Sequence, residues 1–568
     1  MQHAPRHLHD LAHGCLLLPA KVFFNKTDDL QAQWFGAVSV ERVVNLSDYS
    51  FILFENAKCP ALIVRFANAQ PAENHRIQYD TPKVSGTDCR DGVITILPRD
   101  KKYLHQADLL AATRQGKSPS FWKRMFTGSP RDWRFLDLLD EIPKLSRLTC
   151  TAYKQQERRT RWLKGQGIQP DTHGNCKHPQ PPWWNKNRLF LSARSDAIQM
   201  FVFERDCDSV GDRFQKLYFA RHPDLFEPPL VVISQGFGKV AFCDFPVLFQ
   251  HSLQSISVST KVTSERENET GLLLFLTVYL RSKLAIYFLF HTAANWGIER
   301  DKVNLSELLQ LPFPLPGDAF AHADAAEIVA KTATAAKSLR DDLASELHQL
   351  HKEREKKNLP IESEEFQEML APFSEKRRKK VDALQAKLER NIYRYFDLTD
   401  EEIALVADTV NYVEPSSTPP KREAVRNAEI PTLKIITERD ELLLKYADTL
   451  TATLNEWAEG GRTRVEASAA QLEGRPFVLF HLRQTKRPRA FRFEKFNNHV
   501  EAVLERIYEA SRQMQGRFIY PRAVTFFDGA SIYLLKPNTV LHWSRSAGLN
   551  DADEIFAEVI RQRRVKSK

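Results

Sequence analysis

The chain has 568 residues, 42% hydrophobic and 27% charged, with 81 basic against 72 acidic side chains and a net charge of +9. That length predicts roughly three or four domains of about 150 residues each. The longest apolar run, Gly271 to Leu280, is closed by Arg281 and Lys283 and is too short for a bilayer span, and no secretory signal opens the chain.

Seven cysteines without a CxxC pair read as reduced thiols, which predicts a cytoplasmic protein with no membrane partner. The basic excess favours a polyanion, because every phosphate neutralised releases condensed counterions. A merely basic surface is the alternative.

Leu16-Leu17-Leu18, Val43 to Leu46 and Ala61 to Phe66 read as short strands within residues 1–85. They are too few for an α/β domain and predict the edge of a larger sheet. Four histidines before them, His3, His7, His9 and His13, have the spacing of one polar helix face.

Residues 86–318 are irregular and rich in tryptophan. Leu230 to Ser234 predicts a buried strand, with Val240 to Phe242 as its hairpin partner, and Leu272 to Phe290 predicts one buried helix. Pro312 to Pro316 predicts a stop.

Residues 319–412 change to an Ala-, Leu- and charge-rich composition. Two long helices are predicted, Ala325 to Lys356 and Glu375 to Tyr395, forming a hairpin about Asn358-Leu359-Pro360. Residues 413–430 read as a linker. Residues 431–568 read as an α+β unit. Its strands are Pro476 to Leu482 and Ala523 to Phe527, an Asp528-Gly529 turn leads into Ile532 to Leu535, and a last helix is capped at Asn550 or Asp551.

Basic residues interleaved with aromatics are the clearest functional signal. Lys123 and Arg124 follow Trp122; Arg158, Arg159 and Arg161 precede Trp162; Lys376, Arg377 and Arg378 lie on the second long helix. Each group suits phosphate contact; the first two also suit a solvated face over a Trp-anchored core, and the third an ordinary charge run on an exposed helix. Lys486-Arg487-Pro488-Arg489 with Arg492 is a similar patch. His173, Cys176 and His178 lack a paired spacing for zinc and read as a loop. Gln180-Pro181-Pro182-Trp183-Trp184 reads as a loop anchor, and Gly236-Phe237-Gly238 is too short for a cofactor loop.

Four stretches carry a resemblance. They are Gly14 to Phe66, Pro228 to Gly238, Leu280 to Pro316, and Asn391 to Glu402. In order and spacing they resemble the later part of γ-type N6-adenine DNA methyltransferases of restriction–modification and phage-defence systems. The resemblance covers about residues 14 to 406. It implies an α/β remnant, the edge strands of a methyltransferase sheet (1–85). A mixed α+β target-recognition domain (86–318), a long helical segment (319–412) and a C-terminal α+β unit (431–568) follow.

Phe54, with Ala61 and Arg65-Phe66 downstream, matches the family's aromatic residue that stacks on a flipped-out adenine. Such stacking contributes about 1–3 kcal/mol; a core residue closing the sheet is the alternative. The family's glycine-rich cofactor loop and Asn-Pro-Pro-aromatic tetrapeptide have no counterpart in the sequence. The expectation is therefore a DNA-recognition part with no catalytic, cofactor-binding or metal residues of its own. It would bind double-stranded DNA and a catalytic methyltransferase subunit, which would supply S-adenosylmethionine. A truncated, inactive methyltransferase and a nuclease or scaffold of a defence complex, with Asp528, Asp551 and Asp553 as its test residues, are the alternatives.

Overall fold

The computed structural model describes the chain except residues 2–3, 26, 54–58, 85–92, 153–159, 171–182, 186, 212–216, 220, 259–265, 299–301, 418–428, 438–440, 473–476, 496, 516–522 and 567–568. It divides into two units: Met1–Phe135 with Gly297–Arg300 and Asp400–Lys568, and Leu136–Trp296 with Asp301–Thr399. The expected boundaries at 85 and 318 do not coincide with this division. The first unit is discontinuous in sequence.

The N-terminal part of the first unit is a five-stranded sheet of β1 (His13–Pro19), β2 (Ser39–Asn45), β3 (Ala61–Ala67), β4 (Arg76–Asp80) and β5 (Lys101–His105). Its order is β1-β3-β2-β4-β5. β3 runs antiparallel to both its neighbours, with Leu16 opposite Val64 and Val44 opposite Ile63. All three expected strands are present. The histidines do not form one helix face: Ala4–His7 is a single 3-10 turn, and His13 already belongs to β1.

Helices α1 (Asp28–Ala37), α2 (Gln106–Arg114) and α3 (Ser118–Thr127) accompany this sheet. Trp122 is fully buried, its ring stacked on Phe23 at 4.3 Å and 12°. Its indole N–H donates to Gln31 Oε1 at 2.9 Å, so its one polar atom is satisfied. Gln106, also buried, donates to the Phe35 and Val38 carbonyls and accepts from the Val40 N–H. That single side chain closes the end of α1 onto β2.

α4 (Pro130–Glu141) carries the chain into the second unit. The main sheet there is made of β6 (Thr149–Cys150), β7 (Trp162–Gln166), β12 (Leu230–Ser234), β13 (Val240–Cys243) and β15 (Leu253–Val258), in the order β13-β12-β15-β7-β6. The hairpin of β12 and β13 is as expected. Smaller ladders join β8 (Gln169–Pro170) to β11 (Leu217–Phe219), and β9 (Leu189–Leu191) to β10 (Asp208–Ser209) and β14 (Leu248–Phe249).

The predicted helix over Leu272 to Phe290 is two helices, α5 (Arg266–Leu280) and α6 (Lys283–Thr292), bent by 63°. The hydroxyl of Ser282 accepts from the Ala285 N–H and starts the second helix. Residues 311–313 do not end a domain either. Leu311 and Pro312 pair back with Leu145 and Lys144.

α7 (Ala325–Lys356) has the predicted bounds, and α8 (Glu364–Tyr395) starts a few turns earlier than predicted, capped by Ser363. They are antiparallel: Glu346 meets Lys376 at 3.0 Å and Lys380 at 2.7 Å, while Thr332 meets Asn391.

The chain re-enters the first unit at α9 (Asp400–Asp408). There α10 (Glu441–Trp457) precedes β16 (Arg464–Gln471), β17 (Phe477–Thr485) and β18 (Arg492–Phe493). α11 (Asn498–Gln515), β19 (Val524–Asp528), β20 (Ser531–Pro537) and α12 (Arg545–Lys566) follow. The sheet order is β18-β16-β17-β20-β19. Alternation sets its two faces. Val478, Phe480, Leu482 and Leu534 pack in one core with Leu443, Tyr446 and Leu450 of α10 and Ala552 and Ile555 of α12. Leu479, Tyr533 and Leu535 pack in another with Val500, Val503 and Ile507 of α11. α12 begins at Arg545 rather than at a cap near Asp551.

Candidate nucleic-acid interface

β1 is an edge strand. Among the described residues it pairs only with β3. Exposure alternates along it, and Leu17 is 63% exposed. Its outward positions His13, Cys15 and Leu17 carry no lysine, and its only proline is the final residue. Such guards normally blunt strand edges, so this one is an open template for a further strand. Gly14 lies under the Phe66 ring, whose Cζ would sit 2.5 Å from an added Cβ. Glycine is therefore what lets β1 lie close on β3.

The proposed contact residues scatter. Phe54, Arg158 and Arg159 lie outside the described residues, as do His173, Cys176, His178 and Gln180 to Pro182. Lys123 is buried in α3, which removes its ammonium from the reach of a duplex, and Arg124 is half-buried. Arg161 pairs with the buried Glu269, whose second oxygen accepts from Trp162 Nε1 at 2.8 Å. Trp162 is fully buried, and Trp183 and Trp184 pack against the core of the second unit. These tryptophans anchor cores.

Lys376 and Arg378 are exposed on α8, but Arg377 is buried and turned inward. Its Nη1 and Nη2 grip Asp206, each at 3.0 Å, and Nη2 also donates to the Ala197 and Phe201 carbonyls. A run of five basic residues on a helix must turn one of them toward its packing side. That is the correction to Arg377 as a phosphate contact.

Asp528, Asp551 and Asp553 are each engaged by basic partners. Asp528 accepts from Arg506 at 2.7 Å, Asp551 accepts from Tyr446 and Lys536, and Asp553 pairs with Arg131 and Arg134. Among the described residues no group of three or more His, Cys, Asp or Glu side chains is placed to hold a metal ion.

Basic side chains do converge at a cleft beside the first turn of α11. It has a volume of about 220 Å³ and is lined by Glu466, Ser468, His481, Arg483, Arg489, Arg492, Glu494 and His499, among others. Strand register builds it: Ser468, His481 and Tyr533 face one another across three strands, and Glu466, Arg483 and Ser531 form the adjacent row. The His481 ring stacks on Tyr533 at 4.5 Å, and its Nε2 lies 3.0 Å from Ser531 Oγ. Burial pushes this imidazole below its ordinary pKa, against the pull of Glu494, so it is neutral near pH 7. Both Arg492 Nε and Nη2 donate to Glu494 Oε1, and the Arg489 N–H donates to Glu466 Oε2 at 3.0 Å. The basic run in the sequence points to Arg489 and Arg492 but not to the rest. The signal that would have found the others is the period-two alternation of two strands that register sets side by side.

Among the described residues no single helix is long and apolar enough to cross a membrane; α5 and α6 together reach that length and composition but are bent and largely buried. No family model matches the chain, and no curated protein does. Among solved structures, it is similar to the type IIG restriction endonuclease BpuSI at 10% identity and a TM-score of 0.24, over 68% of this chain and 48% of that one. It is also similar to the HsdS subunit from Thermoanaerobacter tengcongensis at 10% identity and a TM-score of 0.16, over 51% and 57%. The chain thus spans about half the length of each, and at these TM-scores neither superposition describes a shared fold.

Proposed function

We propose that the chain is the DNA-recognition part of an N6-adenine DNA methyltransferase of a restriction–modification or defence system. In this reading a catalytic half adds its own strands to β1 and supplies S-adenosylmethionine and the methyl-transfer chemistry. The open edge of β1 carries the proposal. The three strands β1, β3 and β2 make an antiparallel fragment whose outer strand, among the described residues, offers an unpaired edge and the exposed Leu17. Strand addition there would satisfy its backbone groups and cover Leu17 in one step. The net charge of +9 suits a phosphate backbone.

Transfer of labelled methyl from S-adenosylmethionine to duplex DNA tests this, with the chain alone, with the product of the neighbouring gene, and with both. Methylation that requires both is the expected result. If the chain binds neither duplex DNA nor any such product, the reading fails. A reading frame upstream of Met1 that encodes Asn-Pro-Pro-aromatic and runs into it would instead make the two halves one polypeptide.

A further inference from the structure

The cleft beside α11 holds more positive charge than its own carboxylates use. Arg483, Arg489 and Arg492 line it together with Glu466 and Glu494. Of the three guanidiniums, Arg492 is paired to Glu494, while Glu466 is held by the Arg489 backbone N–H. All three arginines are exposed. Lys486 and Arg487 continue the charge along the loop, outside the lining. We propose that this cleft grips the phosphodiester backbone of a nucleic-acid strand without reading its bases. The proposal rests on the DNA-binding reading above and assigns it a place in the C-terminal unit.

Three features select this ligand chemistry. Guanidinium forks match phosphate oxygens and hold them at two points each. The charge runs past the cavity along Lys486 and Arg487, as a polymer of phosphates requires and a single nucleotide does not. The aromatic ring at the floor is already engaged: one face of His481 is covered by Tyr533, and its Nε2 is engaged by Ser531. Contacts of this kind position a strand and carry no sequence information. Glu466 and Glu494 fix the loop and the Arg492 fork before a strand arrives, at the expense of some repulsion toward it.

The test measures binding of the full chain to a labelled duplex by fluorescence anisotropy across a salt series. The variant R483A/R489A/R492A is expected to bind at least tenfold more weakly. Its log–log salt slope should shrink by about two to three, at about 0.9 for each phosphate no longer neutralised. E466Q/E494Q removes two negative charges from the same cleft and is expected to bind several-fold more tightly. That gain keeps the proposal open to refutation should the triple variant fold poorly. If the parent chain binds the duplex and both variants bind it with unchanged affinity and slope, the cleft is no interface and only this inference falls. If the parent chain binds no DNA at all, the DNA-binding reading falls with it. Adenosine monophosphate that competes as well as an oligonucleotide of equal phosphate concentration would make the cleft a nucleotide site and overturn the proposal.

Discussion

Arg131 holds the Asp553 carboxylate at two points, Nε at 3.0 Å and Nη2 at 2.9 Å, while its third nitrogen reaches Glu401 at 2.6 Å. The guanidinium is 9% exposed, and both partners lie in the returning segment of the first unit. Planar fork geometry makes this the strongest kind of ion pair, and removing one partner leaves a charge desolvated and unmatched.

Asp553→Asn should therefore destabilise the first unit by about 2–3 kcal/mol, less than a fully buried pair because Asp553 is 29% exposed. Denaturant unfolding followed by tryptophan fluorescence measures it. A change under about 0.5 kcal/mol, the size of an ordinary surface substitution, would show that the grip contributes little.

His542 gives the first unit an acid limit. Burial, with Arg99 and Lys536 nearby, pushes its imidazole well below the ordinary value of 6.5. The unfolded chain then binds a proton that the folded one refuses. Stability is thus retained above about pH 6.5 and falls as the pH drops below it, by up to about 1.4 kcal/mol per pH unit. His542→Gln should flatten the melting midpoint between pH 7 and pH 5. An unchanged slope in that variant would assign the acid sensitivity to other groups.

Lys102 acts in the opposite range. Desolvation and the neighbouring Lys83 lower its ammonium to about 7, although it donates to the Met125 and Phe126 carbonyls. Between about pH 7 and 10.5 the unfolded state holds the extra proton, so stability rises with pH through that window. Lys102→Met should raise the melting midpoint at pH 6.5, and the gain should shrink by pH 9.5. A gain that stays constant would mean that the ammonium is not desolvated.

Leu17→Lys places a charge on the open edge while leaving the core untouched. The side chain is mostly exposed, so stability should change by less than about 0.5 kcal/mol. Co-purification with a catalytic half should be lost, because a lysine on an edge strand opposes strand addition. Retained co-purification would move the docking surface elsewhere.

Much of the fold is legible in the sequence where one local signal dominates. Ala325 to Lys356 has a helical period and no breaker, and Asp528-Gly529 dictates its turn, with Gly529 at φ 58°. β16 escapes such reading because Arg-Val-Glu-Ala-Ser-Ala-Ala-Gln holds a single β-branched residue and no aromatic; its partners stabilise it, not its own propensity. α5 and α6 read as one helix because the polar step Arg281-Ser282-Lys283 between their apolar runs holds no glycine or proline. The cleft is legible only in part. Arg489 and Arg492 form a visible basic run, but Ser468, His481 and Arg483 meet through pairings between separate strands, which composition does not encode.

The discontinuity of the first unit has a consequence for its making. Arg131 and Asp553 are 422 positions apart in the chain. At translation rates of about 5–20 residues per second, roughly 20–80 s pass between their emergence from the ribosome. Through that interval the N-terminal sheet stands without the C-terminal half of its own unit, with the Asp553-binding side of Arg131 uncovered. Nascent chains of this protein should lean on chaperones in that window.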